Sequence, residues 1–284
     1  MTRGSNIHGI PERIVTVADD EKVLLHERRG RIGLITFNRP KQRNALSPQL
    51  LRDLCDVLAD WAISGDVRVV IFTGAGDKAF SAGYDISAIE TVGPGHKETR
   101  PSGATGTPFE QALDAVKNFP YPTIAMINGH CFGGALHLAL VCDLRVAADH
   151  VSIGMPPAKL GVVYGPEGIL QFVQVLGTAK ARELLFTGRP FKGDEITDMG
   201  LVRRLVPSEQ LDETVMTMAE EISNNAPLAL KGIKRIMNMV EEPLFGDAVK
   251  AEAKALVTES FRSADLKEGQ AAFLEKRKPV FTGK

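Results

Sequence analysis

Two glycine-centred turns are the first candidates for chemistry in this sequence. One spans residues 80–86 around Gly83, and the other spans residues 128–137 around Gly133 and Gly134. Glycine allows the backbone to pass close to a ligand, and the first N–H groups of a helix point outward into a region of positive potential. One N–H group from each turn, aimed at a single oxygen, would form an oxyanion hole. On the residues alone, two purely structural turns remain the favoured interpretation.

Three titratable side chains in the sequence are candidates for acid–base work. His137 lies in the apolar helix after the second turn and could act as a general acid or base. The alternative is a packed histidine bonded to a backbone carbonyl. Tyr164 lies between Gly161 and Gly165, in a loop that we expect to end over a pocket. Glu167 opens the next helix, where an ordinary first-turn carboxylate is favoured over a catalytic one.

The other polar candidates are predicted to be structural. Asp85 and Asp143 are expected to pair with backbone or basic groups, and Cys131 and Cys142 to be small buried residues. His130 is expected to be a turn residue. No His/Asp/Glu cluster has the spacing of metal ligands, and the sequence contains no Walker loop or strand–GxGxxG–helix unit. We therefore expect no metal, no nucleotide chemistry and no cofactor.

The elements that position these residues are predicted from the hydrophobic patterns of the sequence. Strand and helix patterns alternate along the chain, which predicts a largely parallel α/β core. Residues 22–27 and 32–37 read as a hairpin, and Ser47 followed by Pro48 marks the start of a helix. Residues 91–108, with four glycines and three prolines, read as a loop. Further strands are predicted at 67–73, 123–127, 143–148, 151–153 and 201–206, and further helices at 135–141, 168–176, 179–186, 195–199 and through most of 208–273.

Length and composition narrow the class of protein. The 284 residues suffice for one large domain or two small ones. A net charge of -1, from 34 basic and 35 acidic residues, argues against a nucleic-acid or membrane-surface partner. Three cysteines without a CxxC pair favour a reducing, cytoplasmic compartment. The first twenty residues lack a signal-peptide pattern, and the longest apolar run is too short for a membrane span.

Seven segments carry a resemblance to a known family when they are taken together. They are residues 44–46, 78–86, 122–129, 133–134, 139–143, 160–161 and 273–279. In this order they resemble the crotonase (enoyl-CoA hydratase/isomerase) superfamily over roughly residues 22–281. The resemblance implies an α/β fold, a crotonase-like spiral of ββα turns with a helical C-terminal trimerisation region. It divides the chain into an arm at residues 1–20, a core at 21–206 and an assembly region at 207–284.

The resemblance also implies a substrate and a role for the two turns. The substrate would be an acyl-CoA thioester, with coenzyme A as part of the substrate, and the protein would be a homotrimer or a dimer of trimers. The thioester oxygen would lie between the backbone N–H groups of Tyr84 and Gly134. Two donors at this place would stabilise an enolate formed next to the thioester.

Two departures from the family pattern bear on the reaction. Family hydratases carry one glutamate at the position of His137 and a second at the position of Pro157. Hydration needs both carboxylates to hold water and to move protons, so the standard hydratase mechanism is not expected. Isomerases that rely on the second glutamate are equally disfavoured.

Residues 155–165 are more similar to the methylmalonyl-CoA decarboxylase branch of the superfamily. That branch has a tyrosine at the position of Tyr164, which helps to orient the malonyl carboxylate, and a related Leu-Gly-Val segment. It differs in carrying a histidine where Tyr84 stands and a glutamate where His137 stands. Decarboxylation requires no base, because the electrons of the departing carboxylate flow into the thioester held by the oxyanion hole.

We therefore expect an acyl-CoA lyase that decarboxylates a malonyl-type thioester. The alternatives are a hydratase or isomerase with a non-standard acid or base, and an inactive scaffold that binds acyl-CoA. Lys41 and Arg43, with Lys278 in the tail, could face the phosphates of CoA, although ordinary surface charges are the alternative. The predicted catalytic residues are Tyr84, Gly134, His137 and Tyr164, and the predicted substrate-binding residues are Lys41, Arg43, Ala82, Asp85, Ile86, Gly133, Pro157, Glu167 and Lys278.

Overall fold

A computed structural model describes residues 22–85, 98–99, 105–241, 251, 255, 258 and 261–280. The predicted arm at residues 1–20 and the predicted helix break at residues 242–243 lie outside the described residues. The strands are β1 (Leu24–Arg29), β2 (Ile32–Phe37), β3 (Val69–Gly74), β4 (Ala79–Ser81), β5 (Glu98–Thr99), β6 (Thr105–Gly106), β7 (Thr123–Ile127), β8 (His130–Phe132), β9 (Leu144–Ala148), β10 (Ser152–Gly154), β11 (Pro190–Lys192) and β12 (Arg204–Val206). The helices are α1 (Pro48–Ser64), α2 (Pro108–Lys117), α3 (Gly134–Val141), α4 (Pro166–Leu176), α5 (Thr178–Thr187), α6 (Asp194–Asp198), α7 (Leu211–Ser223), α8 (Pro227–Glu241) and α9 (Ala264–Leu274).

Two sheets form the α/β core. The larger has the strand order β1-β2-β3-β7-β9-β12, and the smaller has the order β11-β10-β8-β4. Strands β1 and β2 form the predicted antiparallel hairpin, and every later pair in the larger sheet is parallel. In the smaller sheet β4, β8 and β10 are parallel, and β11 is antiparallel to β10.

The described chain repeats one path three times. A strand of the larger sheet is followed by a strand of the smaller sheet and then by a helix: β3, β4 and α2, then β7, β8 and α3, then β9, β10 and α4. In the first of these repeats the separate pair β5–β6 precedes α2. This path is a spiral of ββα turns, so the predicted α/β spiral is confirmed, whereas trimerisation through the C-terminal region stays a prediction. Because β4 and β8 are parallel neighbours, the segments that leave them begin at the same edge of the sheet.

Helix α1 follows the predicted start signal. The Ser47 hydroxyl accepts a hydrogen bond from the Leu50 N–H at 3.3 Å, and Pro48 occupies the first helical position, where its missing N–H is not needed. Leu50, Leu54 and Leu58 lie on one side at helical spacing and are almost fully buried. The apolar side of α1 is therefore buried, and the helix packs mainly against α2 and also contacts β1.

Several short elements differ from the sequence prediction. Residues 80–81 and 130–132 were predicted as parts of turns, but they belong to β4 and β8, so His130 is a strand residue. Strand β11 and helix α2 were not predicted, and residues 201–203 precede β12. The predicted loop at 91–108 contains the antiparallel pair β5–β6. A strand of two or three residues is too short to show an alternation of side chains.

The C-terminal region is helical, as its pattern predicted. Helices α7, α8 and α9 occupy most of the described residues from 211 onward, and the predicted break near Asn225–Pro227 separates α7 from α8. Lys234 of α8 is buried and donates to the Asp143 carboxylate at 2.7 Å and to the Tyr121 carbonyl at 3.1 Å. These bonds hold α8 against the segments that lead into β7 and β9.

Candidate active site

Residues 44–46 hold the first glycine-centred turn in place. The Leu46 N–H donates to the Gly83 carbonyl at 2.8 Å, and the Asp85 N–H donates to the Leu46 carbonyl at 3.1 Å. Together these bonds form a parallel bridge between Leu46 and Tyr84. The residue between two such bonds directs its own N–H to the opposite side of its strand. The amide of Tyr84 therefore points away from Leu46.

A buried network behind the turn fixes this arrangement. The Asn44 amide is fully buried and donates to the carbonyls of Ala75 and Ala79 at 3.0 and 2.7 Å. The Arg39 guanidinium donates to the Ala45 carbonyl at 2.7 Å and to the Asp85 carboxylate at 2.8 Å. Asp85, predicted both as a substrate-binding residue and as a partner of a basic group, lies in this ion pair.

The second turn brings another amide beside Tyr84. Gly134 is the first residue of α3, so its N–H has no acceptor within the helix. A Cβ placed on Gly134 would lie 3.3 Å from the Tyr84 nitrogen, and one placed on Gly83 would lie 3.3 Å from the Gly134 nitrogen and 2.7 Å from the Phe132 oxygen. The two predicted amides thus meet in one narrow space, and Gly83, at φ +102°, has a backbone that disfavours any side chain.

His137 and Tyr164 form a hydrogen-bonded pair close to the second turn. The His137 Nδ1 lies 2.8 Å from the Tyr164 hydroxyl oxygen. His137 projects from α3 and is 6% exposed. Its backbone N–H donates to the Gly133 carbonyl at 3.1 Å. The sequence predicted both side chains separately for this site. The structure brings them into direct contact.

The surroundings of this pair keep both groups neutral. Aromatic rings pack against His137, with ring centroids 5.8 Å away for Phe109 and 5.6 Å away for Phe172. Burial lowers the pKa of His137 to about 4, because an apolar environment disfavours the imidazolium. Burial also raises the pKa of the Tyr164 hydroxyl. At neutral pH the pair therefore presents an uncharged imidazole and an uncharged phenol.

Gly168 gives Tyr164 the space it occupies. A Cβ on Gly168 would lie 2.4 Å from Cε1 of Tyr164, which is an overlap, and 3.2 Å from Cε1 of His137, which is a tight contact. Gly168 lies in the first turn of α4, two residues after Pro166. The Tyr164 ring thus packs directly against the backbone of the first turn of α4, at a position without a side chain. The sequence prediction placed Gly168 in a helix but assigned it no role.

Phe109 is the site residue that the sequence analysis missed. Its ring lies 5.8 Å from the Tyr84 ring and 5.8 Å from the His137 ring, and a Cβ on Gly134 would lie 3.1 Å from its Cζ. Phe109 is the second residue of α2. The sequence Thr107-Pro108-Phe109-Glu110 is a capping box. A threonine followed three residues later by a glutamate predicts the start of a helix, so this pattern could have revealed α2.

The other predicted binding residues are spread around this centre. Pro157 is buried in a short 3-10 turn, and with Tyr164 it lines an apolar cavity of about 400 Å³ that also reaches α4 and α5. Glu167 is exposed in the first turn of α4, as the structural interpretation expected. Ile86 lies outside the described residues. The remaining predicted binding residues that are exposed are Lys41, Arg43, Ala82 and Lys278.

The residues predicted to be structural keep that role. Asp143 pairs with Lys234 and accepts from the Thr123 N–H and hydroxyl at 2.7 and 2.8 Å. Cys131 and Cys142 are buried, and burial raises the pKa of both thiols, that of Cys142 to about 12. Within the described part of the chain, no group of His, Cys, Asp and Glu side chains could hold a metal ion. None of the helices described is long and apolar enough to cross a membrane.

Comparisons with known proteins agree with this architecture. The family model Enoyl-CoA hydratase/isomerase matches residues 27–284. The short-chain-enoyl-CoA hydratase of Clostridium acetobutylicum is 34% identical over 252 residues, covering 89% of this chain and 94% of its own. The carnitinyl-CoA dehydratase of Escherichia coli K12 is 34% identical over 260 residues, covering 90% of this chain and 97% of its own.

Solved structures give a second comparison. A methylmalonyl CoA decarboxylase superposes with a TM-score of 0.84 at 30% identity, covering 93% of this chain and 99% of the other. An enoyl-CoA hydratase from Bacillus anthracis superposes with a TM-score of 0.69 at 32% identity, covering 93% and 100%. The sequence relatives named here are a hydratase and a dehydratase, whereas the superposition is tighter on the decarboxylase.

Proposed function

The chain belongs to the enoyl-CoA hydratase/isomerase family, the crotonase superfamily, and on that basis we propose that it decarboxylates a malonyl-type CoA thioester. The family membership makes it an acyl-CoA enzyme. The choice of reaction rests on one observation, the neutral His137–Tyr164 pair beside the two amides.

The two amides would hold the thioester oxygen. The N–H groups of Tyr84 and Gly134 lie close enough to donate to one acceptor, and they are fixed by backbone bonds rather than by mobile side chains. Negative charge that develops on the thioester oxygen in an enolate would be stabilised without any movement of the donors. This role is common to all the reactions considered for the chain.

The composition of the remaining site favours decarboxylation over hydration. Hydration needs carboxylates to activate water and to protonate carbon. The described contacts of His137 and Tyr164 are with each other and with the rings of Phe109 and Phe172, and none is with a carboxylate. Apolar surroundings like those described for this pair suit a substrate carboxylate that must lose its solvation before it leaves as CO2.

In the proposed reaction Tyr164 orients the leaving carboxylate. The His137 Nδ1–H donates to the Tyr164 oxygen, and the Tyr164 hydroxyl donates to the carboxylate of the substrate. The C–C bond to the carboxylate breaks, CO2 departs, and its electron pair forms the enolate held by the two amides. A proton from solvent then adds to C2. One malonyl-type thioester and one proton thus give one shortened thioester and one CO2.

A hydratase is the second candidate, supported by the hydratase and dehydratase relatives at 34% identity. It would have to use His137, Tyr164 or Glu167 in place of the two glutamates. Glu167 is exposed on α4, and the low pKa of His137 makes its imidazole a weak base. These properties make a hydratase the less well supported of the two reactions. An inactive scaffold that only binds acyl-CoA is the third outcome.

One assay separates the three possibilities. The purified protein is given methylmalonyl-CoA and, separately, crotonyl-CoA, and the products are identified by mass. We expect loss of CO2 from methylmalonyl-CoA. In Tyr164→Phe the rate should fall at least tenfold, because a hydrogen bond to a charged group contributes about 1.5–3 kcal/mol. Tyr121→Phe, which removes a hydroxyl far from the site, is the matched control and should keep the activity.

The alternative results are equally definite. Hydration of crotonyl-CoA without loss of CO2 from methylmalonyl-CoA would overturn the proposal in favour of the second candidate. Binding of both thioesters without turnover would identify a scaffold. Full decarboxylase activity in Tyr164→Phe would leave the reaction in place but remove the proposed role of the tyrosine.

We propose two further features of the functional molecule. The exposed cations Lys41, Arg43 and Lys278 are candidates to bind the phosphates of CoA. The helical C-terminal region would form a homotrimer or a dimer of trimers, which is supported by exposed apolar side chains on α8. All three cysteines lie in the described part of the chain, and each is buried as a thiol rather than joined in a disulfide, which supports a reducing, cytoplasmic setting.

A further inference from the structure

We infer that Phe109 is a specificity-determining residue, which limits the size of the substituent at C2 of the acyl group. The inference rests on the proposed function for the position of the substrate, and it names the class of thioester that the same site accepts. That class has hydrogen or a methyl group at C2. Thioesters with larger branches at that carbon are rejected.

Phe109 contacts both parts of the proposed reaction site, namely the two residues that carry the amides and the His137–Tyr164 pair. Its ring packs edge-on against Tyr84 and against His137, at 5.8 Å between centroids in each case. Its Cζ and Cε2 atoms lie 3.1 and 3.2 Å from the place where a Cβ on Gly134 would stand. A single side chain thus touches the residue of the first amide, the residue of the second amide and the hydrogen-bonded pair.

The position of C2 follows from the positions of the two backbone amides and of the His137–Tyr164 pair. With the thioester oxygen between the two amides, the carbonyl carbon lies next to them. The carboxylate of the substrate lies at the Tyr164 hydroxyl, 2.8 Å from His137. C2 joins the carbonyl carbon to the carboxylate, so it lies between the amides and the pair. The ring that touches both therefore forms a wall beside C2.

The wall is rigid, which allows it to select by size. The Thr107 hydroxyl accepts from the Glu110 N–H at 3.2 Å, and the Glu110 carboxylate accepts from the Thr107 N–H at 2.7 Å. This capping box fixes the first turn of α2, where Phe109 lies. Contacts with Tyr84 and His137 then hold the ring itself. A larger C2 branch would require this packed ring to move.

The test measures binding of thioesters that cannot lose CO2. Calorimetry gives the affinities of acetyl-CoA, 2-methylpropanoyl-CoA and 2-ethylbutanoyl-CoA for the wild-type protein, Phe109→Ala and Phe109→Leu. We expect the wild-type protein to reject the ethyl-branched thioester. Phe109→Ala should improve its affinity relative to acetyl-CoA at least tenfold, since one or two methylenes in a pocket change selectivity by 10- to 200-fold. Phe109→Leu should give an intermediate ratio.

The control replaces another buried phenylalanine, one that has no described contact with the site. Phe119→Leu alters a buried ring that packs against Tyr121, and it should leave the ratio of affinities unchanged. If Phe109→Ala does not fold, as judged by circular dichroism, the ratio for Phe109→Leu decides. An unchanged ratio in the folded Phe109 variants would overturn the inference.

The outcome is separable from that of the proposed reaction. A changed ratio without any decarboxylation would support the role of Phe109 and overturn only the reaction. Decarboxylation with an unchanged ratio would overturn only the role of Phe109. Binding alone is compared, so neither result depends on turnover.

Discussion

The resemblance to the family implies a glutamate at the position of His137, and the surroundings of the histidine decide what it can do. An exposed histidine titrates near neutral pH. The packed rings of Phe109, Tyr164 and Phe172 instead lower its pKa from 6.5 to about 4. The sequence pointed to this position but not to its environment, because two of these rings come from α2 and α4, far away along the chain. A residue that looked like an acid or base is a neutral hydrogen-bonding group.

The low pKa of His137 predicts a specific pH dependence of stability. Above pH 6.5 the imidazole is neutral in both the folded and the unfolded chain, so it adds no pH dependence. Between pH 6.5 and about 4 only the unfolded chain takes up the proton, so stability falls as the pH falls. The loss should reach about 3 kcal/mol at the lower end. Urea unfolding of the wild-type protein and His137→Asn across this range measures it.

The expected difference lies in the slope with pH, not in the absolute stability. His137→Asn should show a shallower loss between pH 6.5 and 4, whatever its stability at pH 7. Titration of His137 by NMR with a midpoint near 6.5 would contradict the prediction directly.

At the scale of elements, the long elements were predictable and the short ones were not. Helix α1 and strands β3 and β7 have long apolar patterns and clear boundaries, so the sequence placed them well. Strands β4 and β8 have three residues each and merge into the glycine-centred turns. Helix α2 follows a stretch rich in glycine and proline, which masked its capping box. Phe109 was missed because its helix was missed.

Helix α4 provides a test of how an element supports the site. Gly168→Ala adds a methyl group that would lie 2.4 Å from the Tyr164 ring. Alanine favours the helix by up to about 1 kcal/mol, but the overlap should cost about 1–3 kcal/mol. We expect lower stability and, because the ring must move away from His137, at least a tenfold loss of decarboxylation. Thermal unfolding and kcat/KM measure the two effects.

Gly232→Ala is the matched control for this change. Gly232 lies inside α8, and no heavy atom lies within 4 Å of the place where its Cβ would stand. This variant should be slightly more stable than the wild-type protein, by about 0.5–1 kcal/mol. Because Gly232 lies one helical turn from Ile236, the activity of the variant should be unchanged at an oligomeric state that light scattering shows to match that of the wild-type protein. If Gly168→Ala behaved in the same way, Gly168 would have no supporting role.

At the scale of the whole molecule, the repeating path explains how distant motifs form one site. Consecutive turns of the spiral place β4 and β8 side by side, so Gly83–Tyr84 and Gly133–Gly134 meet although fifty residues separate them. The order of the segments resembled the family and so predicted this meeting. The pairing of His137 with Tyr164 depends on the third turn of the spiral, where the packing of α4 sets the final distance.

Helix α8 has one side that contacts the core and another side that exposes apolar residues. Lys231, Lys234 and Asn238 lie on one side of the helix and contact Tyr121, Asp143 and Lys117 of the core. Another side carries Ile233, Ile236 and Met237, which are 58%, 63% and 59% exposed. A helix that faces its own core with polar groups and turns apolar side chains outward is typical of an interaction surface.

This arrangement predicts that Ile236→Asp weakens assembly while leaving the fold of each subunit intact. The substitution puts a charge into the outward apolar side of α8, where a second copy would have to remove it from water. Light scattering coupled to size-exclusion chromatography should show a trimer or hexamer for the wild-type protein and smaller species for the variant. Ile63→Asp, at an 85% exposed isoleucine of α1, is the matched control and should assemble normally. An equally assembled Ile236→Asp would show that this side of α8 lies outside the subunit interface.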